Sequence, residues 1–306
     1  MRRALALQLV APLVGADPRK PPAGARAMTG GESGRVWRVE HEGRAYAVKL
    51  IGPGREAPFE RESADARVYS ARWSNLRPAY RRLAAIDAPR PRLHATGALE
   101  PPGLRYAVLD FVEGDPDDFS PDWFAAAGAA LSRLHRERRS WQGWVGMRRP
   151  YSETWTSAFA RSCLGRLEAT RGLLAPALHR ALTSLLAADL AALTEPPGFV
   201  FSHTDGLQGV FQRAGAGWRL AAVIDIEDHQ FTDQRFVLAG FELGHAIAGR
   251  ETPDAFWRAY QVPLDPSYPR FRRLFQAYYL LVWARVFRGR PRELQDCIGL
   301  LESLAA

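Results

Sequence analysis

Residues 199–225, F-V-F-S-H-T-D-G-L-Q-G-V-F-Q-R-A-G-A-G-W-R-L-A-A-V-I-D, constrain the fold more than any other part of the chain. They read as an apolar strand, a short polar loop holding His203 and Asp205, a hairpin turning at Gly215 and Gly217, and a second apolar strand that ends in Asp225. This pattern carries two carboxylates to one end of a small sheet. Strand-end aspartates commonly serve as turn formers. Carboxylates beside apolar strands otherwise require a cation, a hydrogen-bond donor or a substrate to satisfy them.

The chain before this segment adds two features suited to a phosphate-bearing ligand, a Gly-rich turn and a strand lysine. Residues 25–50 read as strand, turn, strand, two-residue turn, strand. The first turn is T-G-G-E-S-G (29–34) and the second is Glu42-Gly43. A Gly-rich turn between antiparallel strands approaches a ligand closely and offers backbone N–H groups to phosphate oxygens. Lys49 lies mid-strand between Val48 and Leu50. Only Lys20 and Lys49 are lysines, so all but two of the 41 basic residues are arginines. A lysine retained against that bias, with a compact charge suited to phosphate, marks a site more readily than a strand residue snorkelling to water. A helix over residues 59–73 places Glu62 near its apolar face, where it needs a cation, and Lys49 is the natural one.

The remaining organisation follows from turn signals and periodicity. Residues 75–103 read as a Pro- and Arg-rich connection leading to the strand L-R-Y-A-V-L-D-F-V, and the acidic, turn-dense residues 113–118 mark a boundary. The expected architecture is α+β in two lobes, 1–112 with an antiparallel sheet and a helix, and 113–306 mainly helical. Helices are expected over about 121–139 with an N-cap at Ser120, 154–174, 178–193, 236–250 behind an Asp233 cap, 254–260 and 268–287, with a short one at the end.

Composition bounds the partners. Hydrophobic residues at 47% and charged residues at 24% describe an ordinary globular chain. The net charge of +8 comes from scattered arginines without a nucleic-acid motif, so no nucleic acid is expected as a partner. Cys163 and Cys297 have no metal spacing, which fits a reducing, cytoplasmic setting. No apolar run spans a membrane. Residues 1–16 imitate a secretory signal, but Gln8 and Pro12 interrupt the apolar run, and Leu5, Leu9 and Leu13 share a helix face; a packed helix is the expectation.

The ordered set of Gly-rich turn, strand Lys, helix Glu, hinge strand, helical lobe, H-x-D, hairpin and strand-end Asp resembles the protein-kinase-like small-molecule phosphotransferases. That group holds the aminoglycoside phosphotransferases, choline kinases and fructosamine kinases. Phe59 three residues before Glu62, and W-T-S-A-F-A-R-S-C-L-G-R-L from Trp155, resemble the fructosamine kinases. The resemblance implies ATP and magnesium as cofactors and a small hydroxylated or amino-sugar-like acceptor. Gly30, Gly31 and Ser33 would cover the nucleotide, Lys49 oriented by Glu62 would contact its phosphates, and backbone at Asp110 and Val112 would meet the adenine. Asp205 would be the catalytic base and Asp225 the magnesium ligand, with His203 a scaffold for the loop.

One departure bears on turnover. The family places an Asn five residues after the catalytic Asp as second metal ligand, whereas this chain has Val210, which cannot coordinate magnesium. Asn75, the single asparagine, lies far off in the 75–103 connection. Gln208 is the nearest amide and is the expected substitute, with water or Glu227 as alternatives. The competing expectation is a kinase-like binding protein with little turnover. A weaker third reading makes His203, Asp205, His229 and His245 a metallohydrolase site. Glu227, Asp228 and Glu242 would suit a cationic acceptor. The oligomeric state is not legible.

Overall fold

The computed structural model describes residues 6–7, 9–10, 24–28, 35–51, 66–99, 104–146 and 153–306. Its fold is α+β, an antiparallel sheet followed by a mainly helical part. Strands β1 (Gly24–Ala27), β2 (Arg35–His41), β3 (Arg44–Ile51), β4 (Leu93–Leu99) and β5 (Leu104–Asp110) pair in the order β1-β2-β3-β5-β4. The β2–β3 turn is the expected Glu42-Gly43, with φ of 48° and 73°. Positive φ at both central residues matches the twist of a two-residue hairpin. Lys49 sits mid-sheet, opposite Val36 on one side and Ala107 on the other.

The first long helix differs from its expected place. Helix α1 spans Ala66–Ala85 and passes through Pro78, so it replaces much of the supposed connection; residues 59–65 lie outside the described residues. Proline removes one helical hydrogen bond. Here tertiary burial outweighs that loss, because Leu76, Ala79 and Leu83, on one face of the helix, are buried. The other half of the connection is β4, which pairs with β5 through an irregularity between Leu93 and Ala95.

Residues 111–120 form no regular element and tie the sheet to the rest. Ser120 caps helix α2 (Pro121–His135) by accepting from the Trp123 amide at 3.2 Å. This helix stops earlier than its expected end at 139. Arg138 and Arg139 instead form β6, which pairs with Val200 and Phe199 of β8 (Phe199–His203). With β7 (Gly143–Trp144) and β11 (His229–Thr232) they make a small sheet ordered β6-β8-β11-β7. The hairpin β9 (Gly209–Ala214) and β10 (Gly217–Val223) turns at the expected glycines.

Helices α3 (Trp155–Thr170), α4 (Pro176–Ala192), α5 (Gln234–Ala246), α6 (Asp254–Ala259) and α7 (Tyr268–Val286) lie near their expected places. Asp233 caps α5 through the Arg235 amide at 2.8 Å. The closing helix α8 (Pro291–Ala305) is 15 residues long rather than short, and buries Cys297 and Leu301.

Among the described residues, buried apolar side chains form two cores. The larger runs from Leu76, Leu83 and Ala107 through α2, α3, α5 and α7 to Leu301, so α1 and one face of the first sheet share an interior with the helical part. The smaller joins Trp37, Val39, Tyr46, Val48, Leu50 and Val108 to Ala6, Leu9 and Val10. Leu9 and Val10 are helical and buried. No helix among the described residues is long and apolar enough to cross a membrane.

Candidate active site

The loop after β8 is held from four directions. His203 is buried, and its Nδ1 accepts from the Asp205 amide at 3.0 Å. His203 and Gly206 form an isolated antiparallel bridge. Gly206 has φ of 90°, and a Cβ there would lie 3.1 Å from the Phe241 backbone, so this turn needs glycine. Tyr279 on α7 donates its hydroxyl to the Thr204 carbonyl. Tyr279 reaches that far because Gly240 makes room for its ring; a Cβ at Gly240 would fall 2.7 Å from it. The outcome is an exposed Asp205 at the tip of a rigid turn.

Asp225 comes to the same end of the hairpin. The Ile224 amide donates to the Gln208 carbonyl at 3.0 Å, which extends the β9–β10 ladder to the residue before Asp225. Asp225 itself is left-handed, φ 48° and ψ 46°, an unfavourable conformation for a non-glycine residue. It turns the chain into a short 3₁₀ segment, Ile226–Asp228, closed by the Asp228 amide on the Asp225 carbonyl at 3.0 Å.

Lys49 meets two of the three carboxylates of this turn, Asp225 and Glu227. Its Nζ lies 2.9 Å from Asp225 Oδ1 and also contacts Glu227 Oε1. Lys49 and Glu227 are buried, while the Asp225 side chain is 42% exposed. The Lys49 charge holds the Asp225 carboxyl below the usual carboxylate range against the opposing effect of burial. For His203, burial opposes the charged form, but Asp228, Asp205 and Asp225 outweigh it and raise its pKa. The Asp228 carboxylate stands 3.7 Å from His203 Nε2, an ion-pair rather than hydrogen-bond distance.

Other expected residues take different places. Gly30, Gly31, Ser33, Phe59 and Glu62 lie outside the described residues. The Asp110 amide donates to Arg92 O at 2.9 Å, its carboxylate holds His94 at 2.7 Å, and Val112 begins the connecting segment. Val210 is not beside Asp225. It pairs with Ala222 up the hairpin and packs under Gly114, whose Cβ position would lie 2.8 Å from Val210 Cγ1. Gln208, two residues earlier, occupies the end of the ladder.

Glu242 leaves the acceptor set: its carboxylate is buried, accepts from Tyr268 and holds Arg272 at 2.7 Å. His245 leaves the metallohydrolase set, since its ring packs 4.8 Å from both Phe124 and Phe241 and burial pushes its pKa down to about 4. Among the described residues no group of three His, Cys, Asp or Glu side chains is placed to hold a metal by itself.

Sequence reading missed Asn75. It is buried on α1, with its Nδ2 on Glu227 O at 2.9 Å and His229 O at 2.7 Å and its Oδ1 on the Gly146 amide at 3.0 Å. A lone asparagine in an arginine- and alanine-rich chain was a signal of the same kind as Lys49.

An N-terminal antiparallel sheet whose strand lysine meets a strand-end carboxylate of the mainly helical part that follows is a protein-kinase-like arrangement. The chain belongs to the phosphotransferase enzyme family, whose model matches residues 24–285. Among solved structures it is similar to a microcompartment-associated aminopropanol kinase, with a TM-score of 0.66 at 16% identity, covering 99% of this chain and 95% of that one. A thermostable mutant of aminoglycoside phosphotransferase APH(4)-Ia, in a ternary complex with ADP and hygromycin B, gives 0.66 at 13% identity over 98% and 97%. A putative fructosamine-3-kinase from Thermobifida fusca gives 0.60 at 21% identity over 97% and 99%. No curated protein matches the sequence. These identities establish the fold and leave the acceptor open.

Proposed function

We propose that the protein is an ATP- and magnesium-dependent kinase of a small hydroxylated or amino-sugar-like molecule. The observation that carries this reading is the meeting of Lys49 with Asp225 at 2.9 Å, with Asp205 exposed on the loop after β8. Lys49 would contact the nucleotide phosphates, and Asp205, fixed by His203 and Tyr279, would accept the proton of the acceptor hydroxyl. Magnesium fits the donors present, because the carboxylate of Asp225 and the side-chain oxygen of Gln208 are hard oxygen ligands and the ion takes its other oxygens from phosphate and water. Bound there, it would neutralise charge on the transferred phosphoryl group. An adenine edge would meet the Asp110 carbonyl and the Val112 backbone rather than the Asp110 amide. Gly30, Gly31, Ser33 and Glu62 keep their expected roles in this proposal.

The placing of Gln208 supports a catalytic reading, since it ends the β9–β10 ladder one position from Asp225. The test is ATP consumption over a panel of amino sugars, fructosamines and amino alcohols. Asp205→Asn should lower turnover by roughly 10²- to 10⁴-fold with nucleotide affinity kept. Tight Mg-nucleotide binding without turnover on any acceptor, unaltered by Asp205→Asn, would establish the binding-only alternative.

A further inference from the structure

Asn75 is 1% exposed, and three of the four hydrogen bonds its amide can make go to backbone atoms of other segments. A buried amide is costly unless satisfied, and this one is satisfied only because two segments far apart in sequence meet at α1. One is the end of β7 and its turn, through Gly146. The other is the stretch 227–229, gripped at both ends by the two N–H groups of one Nδ2. The residue at the start of that grip is Glu227. Its carbonyl is held by Asn75 while its buried carboxylate reaches back to Lys49.

The neighbouring backbone is poorly suited to hold itself. Asp225 is left-handed, and the 3₁₀ segment after it is only three residues long. The turn is closed by one backbone bond, Asp228 amide to Asp225 carbonyl, and anchored by buried Ile226; the Asn75 grip adds the contact made directly to Glu227's own carbonyl. We infer that Asn75 is a positioning residue for Lys49: it clamps the 227–229 backbone to α1 so that Glu227 keeps hold of the lysine. Resting on the proposed phosphotransferase reading, this divides the work between the two acids. With magnesium bound, Asp225 would be its ligand, and Glu227 would keep its hold on Lys49. The helix of the first lobe thereby becomes part of the metal turn, through an amide that touches no substrate.

Lysine modification tests the clamp independently of any nucleotide, since the chain has only Lys20 and Lys49. The modification rate of Lys49 by an amine-reactive ester is read by mass spectrometry and normalised to Lys20. Asn75→Ala and Glu227→Gln should each raise it at least tenfold. Glu227→Gln keeps both backbone carbonyls that Asn75 grips, so its effect reports the carboxylate alone. Gly128→Ala, which strains a helix contact away from Lys49, is the control for general loosening. An unchanged Lys49 rate in folded Asn75→Ala, or an equal rise in Gly128→Ala, would overturn the inference. Should Asn75→Ala fail to fold, Asn75→Ser, which loses at least one donor, carries the same expectation and the same refutation. Calorimetry with ADP, with and without magnesium, supplies the functional arm. Asn75→Ala should reduce the magnesium-dependent gain in affinity at least fivefold. A wild-type protein that binds no Mg-nucleotide refutes the phosphotransferase reading, while the Lys49 rates still decide the clamp.

Discussion

At the residue scale, the polar side chains of this protein sort by what surrounds them rather than by type. Four histidines illustrate it. His203 is raised by three nearby aspartates, whereas His135 and His229, fully buried, are pushed down to about 3, and His245 to about 4. His135 and His229 stay neutral in the folded protein and take up protons only on unfolding. Stability from this source is complete above pH 6.5 and lost as pH falls towards 3, by about 1.4 kcal/mol per pH unit for each ring. His203 has the opposite sign, its contribution being present below pH 6.5 and fading as pH rises through its raised folded value. Asp233 and Glu242, raised by burial, oppose the acid loss, so a difference measurement is the cleaner check. Urea unfolding between pH 4 and 5.5 should show His135→Gln with a slope shallower than wild type by about 1.3 kcal/mol per pH unit. Glutamine can keep the contact that Nδ1 makes with the Tyr260 hydroxyl at 2.6 Å.

Among elements, close approach decides which small residues matter. Gly128 on α2 faces α6, and a Cβ there would fall 2.4 Å from the Phe256 carbonyl, a backbone atom that cannot swing aside. Gly165 on α3 faces open space. Gly128→Ala should therefore lower stability by about 1–3 kcal/mol, while Gly165→Ala should raise it by up to about 1 kcal/mol, both read as shifts in thermal midpoint. The two glycines look alike in sequence, since each sits within a helical pattern. Caps were legible, because Ser120 and Asp233 act through their own first turns. The path of α1 through Pro78 was not, since it depends on burial of Leu76 and Leu83 against elements far along the chain.

At the scale of the whole molecule, the first sheet carries an interior on each face, Ala107 belonging to one and Val108 to the other. Val10 is fully buried in the smaller one beside Trp37, Val39 and Leu50. Val10→Asp places an unpaired carboxylate there and should destabilise the protein by several kcal/mol, measurable as a large fall in the thermal midpoint. Strand alternation, turn glycines and helix periodicity are local, and by themselves they determined the α+β class, most of the helices after residue 120, and the strand and loop settings of Lys49, Asp205 and Asp225. Some placements depended on hairpin geometry. Val210, five residues after Asp205, pairs with Ala222 and packs under Gly114, while Gln208 ends the ladder. Likewise Glu227 and Asn75 acquired partners 178 and 152 residues away, Lys49 for the first and the Glu227 carbonyl for the second. Periodicity records which face a residue takes on its own element. Which groups face each other across elements is set by packing, and only the tertiary structure decided that.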